Sequence, residues 1–105
     1  MSPRLTQLLK ILATEPNGGD PFTLYGIAQE YAKAGDVANA VTFYDRCLAA
    51  DPAYCYAYYH KAKTLADHDR TPEAIAVLNT GIAAAKRVHD AKALGEMQGL
   101  LDTLE

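Results

Sequence analysis

The chain has no tryptophan and only two cysteines, and its 10 Lys and Arg are outnumbered by 13 Asp and Glu. Each shortage excludes something. A net charge of -3 supplies no basic face for a nucleic-acid backbone, so no nucleic-acid partner is expected. Cys47 and Cys55 are too few for a disulfide framework, and they lack the second pair that a cysteine metal site needs. They read as reduced thiols of a cytoplasmic protein. Long apolar runs are also missing. The opening "MSPRLTQLLKILATEPNGG" is apolar at intervals, but Lys10 interrupts it. It has neither the h-region of a signal peptide nor the length of a membrane span, and no membrane partner is expected. With 105 residues, the chain has room for one small domain, 1–105.

Half of the residues are apolar, and alanine dominates that half. Small side chains bury little area each, so such a core works where helices approach closely. The stretch "AKAGDVANAVTFYDRCLAADP" contains a break, then an amphipathic run that stops at a proline. It is used more than once. Sliding the chain by 34 residues places Phe22 on Tyr56, Tyr25 on Tyr59, Ala28 on Ala62, Ala40 on Ala74, Val41 on Ile75, Tyr44 on Leu78 and Leu48 on Ile82. Apolar class is kept at nearly every position, aromatics included.

Each unit reads as two helices joined by a tight turn. Asp20-Pro21 supplies an N-cap followed by proline at the first helical position. The first helix runs to about Ala34, Gly35 takes a left-handed turn, and Asp36 caps a second helix. That helix carries Val37, Ala40, Val41, Tyr44, Cys47 and Leu48 as a stripe. Asp51-Pro52 ends it and starts another, which reaches about Asp67, and Thr71-Pro72 opens the next. Residues 3–14 read as a lone second helix, because a shift of 36 puts Leu8, Ile11 and Leu12 on Tyr44, Cys47 and Leu48. Asp90 caps a last helix with Ala91, Leu94, Met97, Leu101 and Leu104 on one face. The pattern therefore gives six helices: a half-unit at 3–14, repeats at 21–54 and 55–88, and a capping helix at 90–104.

These spacings resemble the tetratricopeptide repeat. Leu24, Ile27, Ala28, Tyr31, Gly35, Ala40, Tyr44, Leu48 and Pro52 sit at that family's intervals, and Tyr58, Ala62, Ala74 and Ile82 continue them. In the second unit Lys61 replaces an apolar residue, Asp69 the turn glycine and Lys86 the proline. The opening "DPFTLYGIAQEY" resembles that of short bacterial members. The resemblance implies an all-α fold, a right-handed superhelical stack of antiparallel helix pairs. It also implies that the first helix of each unit lines a concave groove for a peptide or helix of a partner protein. The groove residues would be Phe22, Tyr25, Gln29 and Lys33, then Tyr56, Tyr59, Lys63 and Asp67. Of the lysine and asparagine clamp with which chaperone-tail binders of this class hold a carboxylate, only Lys63 stands at its place.

Chemistry is not expected. His60 and His68 are eight residues apart, which is no metal pair on a helix, and no carboxylate or cysteine with ligand spacing surrounds them. Gly18-Gly19 follows a helix rather than a strand, so it is no phosphate loop. No cofactor or metal is expected, and the chain reads as a non-catalytic binding module. A second reading is structural: the leucine stripe Leu5, Leu8, Leu9 and Leu12 with its extra Ile11 invites pairing with another copy or with a larger subunit.

Overall fold

Capping side chains set most helix starts. Ser2 Oγ accepts from the Leu5 amide (3.0 Å), Asp20 from Phe22 (2.8 Å), Asp36 from Asn39 (3.1 Å) and Asp90 from Ala93 (3.0 Å). Each satisfies one N–H that the helix itself leaves open. The computed structural model describes residues 1–105. Its helices are α1 (Pro3–Thr14), α2 (Pro21–Lys33), α3 (Val37–Ala50), α4 (Cys55–Asp67), α5 (Thr71–Arg87) and α6 (Ala91–Leu104), with no strand. The fold is all-α, as the spacing predicts.

One start differs from expectation. Asp51-Pro52 closes α3, but α4 begins only at Cys55. The intervening turn is fixed from inside, because the Tyr58 hydroxyl donates to the Pro52 carbonyl (2.9 Å). Thr71 opens α5, as its pairing with Pro72 predicts. Arg70 takes the cap position and grips Glu73 through two hydrogen bonds of 2.8 and 2.7 Å. The turns between helices pass through left-handed backbone at Gly35 (φ 77°), Asp69 (φ 62°) and His89 (φ 59°). Glycine adopts this without a Cβ penalty, whereas Asp69 and His89 carry one.

The chain folds as two compact units, Met1–Asp51 and Pro52–Glu105. In the first, α2 packs against α3, and α1 packs against α2 alone. In the second, α5 packs against both α4 and α6, and α4 also meets α6. Ala28 and Ala40 in unit 1, and Ala62 and Ala74 in unit 2, are completely buried. Small residues at these points let helix axes approach to about 8 Å. Tyr44, Leu24 and Ile27 fill the first core; Leu65, Leu78 and Met97 fill the second.

Neither cysteine is in a disulfide, and both are buried. Burial, with smaller contributions from the charges of Asp51 and Asp20, pushes the Cys47 thiol up to about 12. Since the thiolate is the nucleophile, native Cys47 should react with iodoacetamide about a thousandfold more slowly than an ordinary thiol. Mass spectrometry of the folded and urea-unfolded chain checks this. Rapid full labelling of Cys47 in the folded chain contradicts it.

Candidate functional site

In unit 1 the residues Phe22, Tyr25, Gln29 and Lys33 follow each other at helical spacing, so α2 carries them as one stripe while its other side buries Leu24, Ile27 and Ala28. Phe22 is 69% exposed, unusual for a phenylalanine. Tyr25 is half-buried, with its ring tilted 59° against that of Tyr44 at 6.2 Å. Gln29 Nε2 donates to the Tyr25 hydroxyl at 3.1 Å. Lys33 is not a free cation, because its Nζ lies 3.1 Å from Glu30. Glu30 is itself buried and also receives Ser2 Oγ (3.1 Å) and Arg4 (3.4 Å). Burial alone would raise this carboxyl's pKa. The hydrogen bonds from Lys33 and Ser2, with the charges of Lys33 and Arg4, outweigh it and hold the group below its ordinary value.

In unit 2, α4 carries Tyr56, Tyr59 and Lys63 at the equivalent positions. Tyr56 and Tyr59 meet edge to face at 6.4 Å, and His60 joins them, 5.0 Å from Tyr59 and 6.4 Å from Tyr56. Lys63 pairs with Asp67 at 3.6 Å, both side chains being more than half exposed, so the pair contributes little. Tyr56 differs from Phe22, its repeat counterpart. Its hydroxyl is buried on the side of the Glu96 carboxylate of α6. Burial first, then the nearby Glu96 carboxylate of α6, raises its pKa. Burial lowers that of His60, Glu96 opposing and Lys63 reinforcing the shift.

Each unit thus presents a large aromatic surface with polar tips along the first helix of its pair. No three His, Cys, Asp or Glu side chains are grouped as metal ligands. His68 is spent at a helix end, its Nδ1 2.9 Å from the Thr64 carbonyl. His60 was legible only as half of a histidine pair. Its spacing of four from Tyr56 is the signal that places it among the rings. Glu96 reaches the cluster from another helix, and nothing local announces it.

The tetratricopeptide repeat family model matches residues 31–95. The chain belongs to the tetratricopeptide repeat family. The crystal structure of a tetratricopeptide repeat domain protein from Salinibacter ruber is 34% identical, covers 81% of this chain and 94% of its own, and superposes with a TM-score of 0.73. A solution structure of a tetratricopeptide repeat domain protein from the same organism, also 34% identical, covers 87% and 90% with a TM-score of 0.77. A Bordetella parapertussis protein at 24% identity covers 99% of this chain and 89% of its own, with a TM-score of 0.84, and shows the fold alone. No curated protein matches. Tetratricopeptide repeats generally mediate protein–protein interaction. No helix is long and apolar enough to cross a membrane.

Proposed function

We propose that the chain is a non-catalytic adaptor that holds a peptide or helix of a partner protein on the aromatic columns of α2 and α4. The binding residues are Phe22, Tyr25, Gln29 and Lys33 on one column and Tyr56, Tyr59 and Lys63 on the other. The observation that carries this reading is Phe22, whose ring lies 69% exposed at the head of a stripe whose next ring, Tyr25, is already braced by Tyr44 and Gln29. A braced ring loses little entropy on binding, which suits tyrosine to recognition surfaces. Lys33 and Lys63 would sort acidic from basic peptides weakly, since each is already paired. Two cysteines outside any disulfide favour a reducing compartment, and we place the protein in the cytoplasm.

The test is to select linear peptides from a display library against the full chain, then titrate the best one by fluorescence anisotropy. Phe22→Ala, which removes an exposed ring, should leave the thermal melt unchanged and weaken binding about tenfold, as loss of a central aromatic contact does. Tyr59→Ala should do the same to a peptide that engages α4. Peptides that bind equally well to both folded variants dismiss the aromatic columns as the site.

A further inference from the structure

α5 outruns its repeat counterpart. Lys86 stands where unit 1 has Pro52, so nothing stops the helix there, and α5 has 17 residues against 14 in α3. The extension sets Lys86 and Arg87 in its last turn, and Val88, His89 and Lys92 follow at the corner into α6. Lys86, Arg87, His89 and Lys92 are exposed, and so is Val88, at 46%. Residues 86–92 carry a net charge of +2, whereas the rest of the chain carries -5. Lys86, Arg87 and Lys92 are in no ion pair, although Arg4, Lys33, Lys63 and Arg70 each are. Helix electrostatics accounts for two of these cations and not for the third. Lys86 and Arg87 face the negative end of α5, which favours them. Lys92 is the second residue of α6, at the positive end of its dipole, and no acid in that first turn offsets it. A cation held where it opposes its own helix is placed for something outside the chain.

The same corner holds an open depression of about 310 Å³, lined by Ala85, Ala91 and Leu94 together with Lys86, His89 and Asp90. Asp90, the one acid lining it, is committed to the cap of α6, where its Oδ1 accepts the Ala93 amide at 3.0 Å. We propose that this corner is a second docking site, for an acidic peptide segment of a partner protein. One apolar side chain of that segment enters the depression, and its carboxylates lie against Lys86, Arg87 and Lys92. The volume is at the small end of ligand pockets, which suits a single side chain of leucine or phenylalanine size. Opposite charge speeds the encounter and rejects basic segments. A continuous phosphate surface, whether of a membrane or of a nucleic acid, fits less well, because it has no side chain for the hollow and would meet Asp90. The site uses none of the aromatic-column residues and stands or falls apart from the groove reading.

The probes are two peptide display libraries selected against the full chain. Each has a central leucine or phenylalanine, flanked by acids in one library and by lysines in the other. The acidic library should yield binders. The best of them, titrated into isotope-labelled chain and followed by NMR, should shift the amides of residues 85–94, with a Kd of about 100 μM that weakens as salt is added. Lys92→Glu should weaken that binding about fivefold. It should not lower the thermal melt, because it puts an acid in the first turn of α6, so lost affinity cannot be ascribed to lost fold. Phe22→Ala should leave the affinity unchanged. An acidic library without binders overturns the proposal, and so does a binder whose shifts fall on α2 or α4 instead. Equal affinity for Lys92→Glu, or a basic peptide seated at the same corner, overturns it too. Binding to phosphatidylserine vesicles with no acidic peptide bound would assign the cations to a membrane surface and reject the peptide.

Discussion

Gly81→Cys is expected to destabilise the protein by about 2 kcal/mol, although it replaces a helix-interior glycine with a residue of better helix propensity. A Cβ at Gly81 would lie 2.5 Å from Cβ and 2.9 Å from Cγ of Tyr58, and 2.6 Å from Sδ of Met97. The methionine end can swing aside, but the root of a buried tyrosine cannot without moving α4. The same repeat position in unit 1 is Cys47, and the position of Tyr58 is Leu24, both fully buried. The two units therefore fill one space by two volume-matched choices, leucine with cysteine and tyrosine with glycine. Tyr58→Leu alone should also lose about 2 to 3 kcal/mol, from the cavity and from the hydrogen bond to Pro52. The double variant Tyr58→Leu, Gly81→Cys imports the unit 1 solution and should recover at least about 1 kcal/mol relative to the sum of the singles. Urea denaturation of the four proteins measures this coupling. Simple additivity would mean that the glycine is there for another reason.

That exchange shows what the sequence discloses and what it conceals. Helix pairs are legible because apolar class recurs at a fixed offset, and class is what a period detects. Caps are legible because Asp20, Asp36 and Asp90 act on amides two or three residues away. Compensation between Tyr58 and Gly81 is not, because each looks acceptable in its own helix and only their distance of approach links them. Phe22 and Tyr56 make the same point for the candidate site. They occupy one repeat position, yet Phe22 lies open while the Tyr56 hydroxyl is buried beside Glu96, a neighbour forty residues along the chain. Even the turn glycine proved dispensable in geometry, since Asp69 takes the same left-handed conformation as Gly35. A repeat period transmits fold, and local departures from it set which rings reach the surface.

Tyr44→Ala should have the largest single effect in unit 1, a loss of about 3 to 5 kcal/mol, because it empties the site of a fully buried aromatic ring between helices whose alanines Ala28 and Ala40 are themselves fully buried. For a chain of this size that lowers Tm by about 15 °C or more. The consequence for the proposed binding surface is separable from the loss of stability. Tyr25 lies against the Tyr44 ring and its hydroxyl accepts from Gln29, so removing the Tyr44 ring takes away one of the contacts that hold its rotamer. Unit 2 supplies the control, since Leu78 occupies this repeat position there and is fully buried. Tyr44→Leu should keep most of the packing, losing about 1 to 2 kcal/mol, yet it no longer presents an aromatic face to Tyr25. A peptide that uses Tyr25 should then bind several-fold more weakly to folded Tyr44→Leu, with the change in its dissociation rate. A peptide affected by Phe22→Ala but indifferent to Tyr44→Leu would show that the exposed ring recognises it without any contribution from the braced one.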